Sequence, residues 1–296
     1  TPINYLLLCE MTSIHRIKEI ATVFLSFIII TSFSCNPTES TPGNSDFEVI
    51  AYYTGNHETI NEYRVDQLTQ IIYSFLHLDG NRLAVDNAAD SITIRALVEL
   101  KKRHPKLKVL LSLGGWGGCK TCSDVFNTEI GRKEFAQSLK ELLVEYGADG
   151  IDMDWEYPGI EGHPKHAWRP EGKRNFTLLI QEMRRAIGPD YDISFAAGGF
   201  KHFFDNSIEW DVVMPLIERV NIMSYDMVGG YSKVTGHHTP LYSTPDQSRS
   251  MDHAVRYLDS LGVPRSKMVV GAAFYSRVWA QVPPINNGLY QSGNFE

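Results

Sequence analysis

The sequence predicts an α/β chain folded as a (β/α)8 TIM barrel, with seven strands identifiable and the eighth missing. Three observations predict it. From Phe47 onward, short apolar runs alternate with helical patterns, a rhythm that implies parallel strands joined by right-handed crossovers. No glycine-rich phosphate loop follows the first strand, where an open nucleotide-binding sheet carries one. Polar and aromatic residues gather instead at the C-terminal ends of several strands, the end at which barrels build their sites.

Composition agrees with this class. The 296 residues hold 35 Asp and Glu against 28 Lys and Arg, a net charge of −7, and 43% are hydrophobic. That is a globular chain, neither disordered nor collagen-like. Without blocks of Lys and Arg it has no footprint for a nucleic-acid partner. Four cysteines are too few for a disulfide scaffold.

Ten residues, Thr1 to Glu10, precede the first methionine, Met11. A basic stretch with His15, Arg16 and Lys18 then leads into an apolar run, Ile20 to Ile30. The run is about half of the ~20 residues a spanning helix needs, so it reads as a signal-peptide core. It ends at Ser34-Cys35 and turns into a Pro/Ser/Thr/Asn stretch suited to a flexible tether. A small residue followed by cysteine resembles a bacterial lipoprotein signal, although Ser32 and Phe33 depart from the usual Leu-small-small-Cys pattern. The resemblance implies lipidation of Cys35 and a mature N-terminus there; the alternative is an ordinary secretory signal. Either way the chain is expected to be exported, touching membrane only through that anchor. The expected organisation is upstream residues and signal over 1–34, a tether over 35–46 and an incomplete barrel over 47–296.

The strands in order are Val49–Tyr53, Gln70–Leu78, Lys108–Leu113, Gly150–Glu156, Asp192–Ala197, Arg219–Tyr225 and Met268–Tyr275, by run length and by their Val, Ile, Tyr and Phe content. Between them, Phe135, Leu139, Leu142, Leu143 and Tyr146 recur at helical spacing before Gly147. Phe176, Leu179, Ile180, Met183 and Ile187 repeat the pattern before Gly188, and Met251, Ala254, Val255, Leu258 and Leu261 before Gly262. These stripes are core-facing. The chain reaches Phe295-Glu296 without a closing strand, which reads as a C-terminally truncated barrel.

The fourth strand carries the chemistry. Alternate side chains share a face, so Asp152, Asp154 and Glu156 point one way and Ile151, Met153 and Trp155 the other. In a barrel the acids form an interior column, with members ~6–7 Å apart along the strand. Three like charges cannot all ionise there, so protons are shared and at least one pKa rises. Glu156, the outermost, reaches the mouth as a protonated carboxyl suited to general-acid work. Asp149 has the opposite parity and reads as structural. A metal site is disfavoured, because no His joins the column and acids on one strand rarely complete a coordination shell. No cofactor is expected.

The run Asp149-Gly150-Ile151-Asp152-Met153-Asp154-Trp155-Glu156 resembles the DGxDxDxE signature of glycoside hydrolase family 18, the chitinases and their relatives. Leu111-Ser112-Leu113-Gly114-Gly115-Trp116 resembles the family's SxGG motif on strand three, and Met223-Ser224-Tyr225-Asp226 its MxYD motif on strand six. Gly271 to Arg277 is similar to the strand-seven segment, with Ala and Ser where Gly and Pro often stand. The resemblance implies substrate-assisted hydrolysis with retention. Glu156 would protonate the glycosidic oxygen and later serve as base for water. The substrate's own 2-acetamido carbonyl would be the nucleophile. Asp154 would hold the acetamide N–H, Asp152 would share a proton with Asp154, and Tyr225 would bond the acetamide carbonyl. The implied partner is chitin or another N-acetylglucosamine-containing glycan. Rival readings are an endo-β-N-acetylglucosaminidase on N-glycans and a glycan-binding surface protein without turnover.

Sugars stack on aromatic rings and bond through hydroxyls. Tyr52, Phe75 and Trp116 lie near the ends of strands one to three, and Tyr52 and Phe75 fit the barrel core equally well. With Gly115, Tyr157, Met223, Asp226, Tyr275 and Arg277 they complete the expected binding set. Gly288-Leu289-Tyr290 resembles the opening of a small α+β insertion that many chitinases carry. Cys119 and Cys122 have no second pair for zinc, and in an exported protein read as a local disulfide or two idle thiols. His163 and His166 read as a solvated loop.

Overall fold

A computed structural model describes residues 47–296; the predicted signal segment, Cys35 and the whole of the tether lie outside the described residues. Each of the seven predicted strands forms and begins within one residue of its expected start. They are β1 (Ile50–Tyr53), β2 (Gln70–Asp79), β4 (Lys108–Gly114), β5 (Gly150–Asp154), β6 (Asp192–Gly198), β7 (Arg219–Met223) and β8 (Met268–Val270), with the short β3 (Arg82–Ala84) returning antiparallel against β2. The parallel path runs β1-β2-β4-β5-β6-β7-β8 in sequence order, the order of a barrel wall. Among the described residues no further strand joins β8 to β1.

Helices cover the outer face: α1 (Ala88–Glu99), the single turn α2 (Cys122–Val125), α3 (Glu129–Tyr146), α4 (Gly172–Ile187), α5 (Lys201–Asn206), α6 (Trp210–Val213) and α7 (Met251–Ser260). Local chemistry sets their limits. The Thr128 hydroxyl accepts the Gly131 N–H at the start of α3, and Gly147 ends it in the left-handed conformation at φ 71°. Ser250 caps α7 in the same way, accepting the His253 N–H. α1 was missed by apolar spacing, yet Asn87 accepts from both Ala89 and Asp90 N–H at its start, a cap legible in the sequence.

Parity decides what each strand buries. Ile151, Met153 and Trp155 of the β5 segment pack under the helices, and Trp155 lies 5.4 Å from the Phe126 ring and 6.3 Å from that of Phe176 on α4. Full burial of an apolar side chain of this kind stabilises by roughly 2–3 kcal/mol. The opposite set turns into the barrel. The register aligns Ser112 with Asp152 and Asp152 with Ser194, so polar side chains from three adjacent strands meet at one level.

The N-terminal end of the barrel is closed by charge. Arg219 donates to both Asp192 and Glu48, and Lys108 donates to Asp192 at 2.8 Å. Asp149 accepts the Val109 N–H at 2.7 Å and pairs with Lys101 at 2.6 Å, the structural role its parity predicts.

Three strands end earlier than predicted: Gly150–Glu156 stops at Asp154, Arg219–Tyr225 at Met223 and Met268–Tyr275 at Val270. Their ladders run out there, at Gly114↔Asp154, Gly198↔Met223 and Ile222↔Val270. Glu156, Tyr225 and Tyr275 therefore stand on loops that leave the sheet. Near the C-terminus, β9 (Trp279–Ala280) and β10 (Asn294–Phe295) form a separate antiparallel ribbon.

Candidate active site

Asp152 is fully buried and saturated with donors. Ser194 Oγ at 2.6 Å and Asn221 Nδ2 at 2.9 Å donate to Oδ1; Tyr52 Oη at 3.0 Å and Ser112 Oγ at 3.2 Å donate to Oδ2. Burial raises its pKa, and these four bonds oppose the rise because they favour the carboxylate. Asp154, one step outward and 7% exposed, has the reverse situation: its Oδ1 is buried with no hydrogen-bond partner among the described residues. Burial, and then the charges of Glu156 and Asp152, hold its pKa well above the ordinary carboxylate range.

Glu156 is partly buried at the mouth. Burial pushes its carboxyl up to about 7, Tyr157 opposes the rise by hydrogen bonding, and the Asp226 charge adds to it. Burial thus raises all three carboxyls, and Asp152 is the one at which several side-chain donors oppose the rise. Among the described residues no hydrogen bond links Asp154 to Asp152, whose two oxygens each accept from two other donors.

The motif around β4 acts on this column. Ser112 is one of the Asp152 donors. Gly114 sits at φ 114°, and a Cβ there would stand 2.1 Å from the Asp154 carbonyl oxygen. Gly115 N–H donates to that same carbonyl at 3.0 Å. These two glycines let the β4 backbone close on Asp154 and fix it.

Glu156 opens into a cleft of about 790 Å³. Trp116, 59% exposed, and Tyr157 form one wall, with ring centroids 6.5 Å apart. Met223, Tyr225 and Asp226 line it from the end of β7, and Tyr275 and Arg277 from the segment after β8. Asp226 binds these segments together: Tyr275 Oη donates to one carboxylate oxygen at 2.6 Å and Arg277 Nε to the other at 2.6 Å. Burial, and then the Asp154 charge, raise the Tyr225 pKa, so its hydroxyl stays a hydrogen-bond donor. Gly271 leaves room for that ring, since a Cβ there would come within 2.7 Å of it.

Asp154, Glu156, Tyr225, Trp116, Tyr157, Met223, Asp226, Tyr275 and Arg277 thus share one cleft. Tyr52, Phe75 and Gly115 do not line it. Tyr52 points its hydroxyl inward onto Asp152, and the Phe75 ring fills the space beside Gly115, where a Cβ would meet it at 2.7 Å. Cys35 lies outside the described residues. Sequence reasoning missed the far wall, where the Arg249 guanidinium lies 5.3 Å over Phe200 and 5.7 Å over Tyr231 and donates to the Tyr231 hydroxyl at 2.9 Å. All three stand on loops or short turns, where no periodicity marks them. Ser194 and Asn221 were also missed, although their inward parity beside Asp152 is a usable signal once the register is known.

Cys119 and Cys122 are joined by a disulfide in the loop after Trp116. His163 packs edge-on against Trp116 at 5.3 Å and lies 4.4 Å from His166. Among the described residues no group of three or more His, Cys, Asp or Glu is placed to hold a metal ion.

The family model for glycosyl hydrolases family 18 matches residues 48–296. Chitinase A1 of Niallia circulans is 35% identical over 219 residues, covering 67% of this chain and 31% of that protein. The oviduct-specific glycoprotein of Papio anubis is 31% identical over 231 residues, covering 75% of this chain and 36% of that protein. The chain therefore spans about a third of the length of these curated relatives. Among solved structures, a family 18 N-acetylglucosaminidase from Paenibacillus barengoltzii superposes with a TM-score of 0.76 at 37% identity, over 84% of this chain and 76% of that one.

Proposed function

This chain belongs to family 18 of the glycosyl hydrolases, and from that premise we propose that it cleaves β-1,4-linked N-acetylglucosamine polymers with retention, Glu156 serving as acid and then base. The observation that carries the reading is the Glu156 carboxyl, raised to about 7 by burial and opening on the same cleft as Asp154 and Tyr225.

The chemistry proceeds in two steps. Glu156 gives its proton to the glycosidic oxygen as the C1–O bond breaks. The acetamide carbonyl oxygen of the same sugar attacks C1 and closes an oxazolinium ring. The Glu156 carboxylate then takes a proton from water as that water opens the ring, which restores both the acetamide and the acid. A neutral nucleophile already tethered to the reacting sugar needs orientation more than activation. Asp154 supplies orientation: its unpartnered Oδ1 is the acceptor an acetamide N–H would satisfy, and a buried polar atom left unpaired calls for a functional account. Tyr225 donates to the acetamide oxygen, and the Asp154 carboxyl also stabilises the positive charge that develops on the ring. Trp116 and Tyr157 offer apolar faces to flanking sugars.

The test is hydrolysis of chitotetraose by the full chain beside its Glu156→Gln variant. Loss of the general acid is expected to lower kcat by ~10²–10⁴-fold with the fold intact by circular dichroism. Equal activity in the two proteins would remove Glu156 from the mechanism.

A further inference from the structure

Asp226 adopts φ 52°, in the left-handed region that is uncommon for residues other than glycine, although aspartate enters it more readily than most. Its contacts account for this. Nδ1 of His238 accepts the Asp226 N–H at 3.2 Å, and the Tyr231 hydroxyl donates to the Asp226 carbonyl. The next residue is held by the same histidine, because Met227 N–H donates to the His238 carbonyl at 3.1 Å. The His238 ring also lies 5.1 Å from that of Tyr275, which itself bonds the Asp226 carboxylate. Its other nitrogen, Nε2, is buried with no hydrogen-bond partner among the described residues.

We propose that His238 is a positioning residue: its neutral imidazole, by accepting the Asp226 N–H, fixes the Asp226 carboxylate in the cleft wall and holds Tyr275 and Arg277 through it. The bond requires an unprotonated Nδ1, which assigns the ring proton to Nε2. On protonation Nδ1 becomes a donor and can no longer accept the amide. It would instead turn towards Asp226 Oδ1, 3.6 Å away and already held by Arg277. The groups facing the ring are thus Asp226, Arg277 and Tyr275. Burial lowers the His238 pKa, Asp226 opposes that shift and Arg277 adds to it, so the neutral form extends to lower pH than for an ordinary histidine. The positioning effect is present above that pKa and is lost as pH falls through it. The consequence for catalysis rests on the function proposed above; the link between His238 and Asp226 does not.

The test uses the full chain and two variants. His238→Asn keeps an acceptor near the Nδ1 position and does not titrate; His238→Phe keeps ring volume and removes the acceptor. Two readouts are taken: kcat and KM on chitotetraose from pH 4 to 8, and the backbone amide resonance of Asp226 by NMR through a pH titration without sugar. Loss of one hydrogen bond predicts that kcat/KM falls by about tenfold in the Phe variant and stays within about threefold in the Asn variant. The Asn variant loses an acid-limb inflection that the parent shows. In the parent, the Asp226 amide shifts with the same midpoint as the His238 ring nitrogens. A Phe variant as active as the Asn variant, or an Asp226 amide that ignores the His238 titration, would overturn the proposal. Should the Phe variant fail to fold, the Asn profile and the parent titration decide. If the parent does not cleave chitotetraose, the proposed function fails, while the amide titration still decides the role of His238.

Discussion

Asp152 and Asp154 are the same residue type on the same face of one strand, and their surroundings drive them apart. Four donors oppose the rise that burial imposes on the inner one, while the outer one keeps an oxygen without a partner among the described residues and has two acidic neighbours. Strand parity in the sequence was enough to place both in one column with Glu156, and to put Trp155 on the other face. It could not supply the donors, because Tyr52, Ser194 and Asn221 come from other strands and depend on register. Asp226 shows how such neighbours tune the acid. Its charge raises the Glu156 pKa, so Glu156 holds its proton up to about pH 7 in the free protein. The rate constant kcat/KM should then be level just below that pH, down to the acid limb set by His238, and fall tenfold per unit above it. Asp226→Asn removes one cause of the rise, so the alkaline limb should move to lower pH. A limb that stays in place, measured with chitotetraose, would separate Asp226 from the titration of Glu156.

Strand β4 illustrates what an element contributes. Its end is read in the sequence as a Ser-x-Gly-Gly pattern beside an aromatic, which says little about mechanism by itself. In the fold each of these positions acts differently. Ser112 bonds Asp152, Gly114 lets two backbones approach, Gly115 N–H holds the Asp154 carbonyl and Trp116 turns out to the cleft. Gly114→Ala would set a methyl group against backbone that has nowhere to go. Overpacking of this kind costs ~3 kcal/mol, and relief would displace Asp154. Urea unfolding should show the loss, and hydrolysis should fall with it; an alanine variant with the parent's stability would contradict the close approach. The same boundary explains why three predicted strands were too long. Residue composition continues smoothly past Asp154, Met223 and Val270, whereas pairing does not. The far wall with Phe200, Tyr231 and Arg249 was illegible for a related reason, since nothing periodic brings loop residues together.

Over the whole molecule, the two ends of the barrel divide the work. The C-terminal end gathers the column, the aromatic wall and the Asp226 cluster. The N-terminal end holds a buried ion network in which Arg219 ties Glu48, before β1, to Asp192 on β6. Removing one partner of a buried pair leaves an uncompensated charge, so Arg219→Met should cost ~3 kcal/mol, with Lys108 still beside Asp192 limiting the loss. Under folding conditions its kcat/KM should match the parent's; a large change in activity at unchanged stability would mean that the two ends are coupled. The order of strands and helices was legible because parallel crossovers leave few topologies open, and the acidic strand located the mouth. The claim on which the function depends is that the sugar supplies its own attacking oxygen. Its most direct measurement is the initial rate of cleavage of chitotetraose against the same tetrasaccharide without its acetyl groups. Loss of the tethered nucleophile predicts a fall of at least ~10³-fold; equal rates on the two substrates would contradict the account.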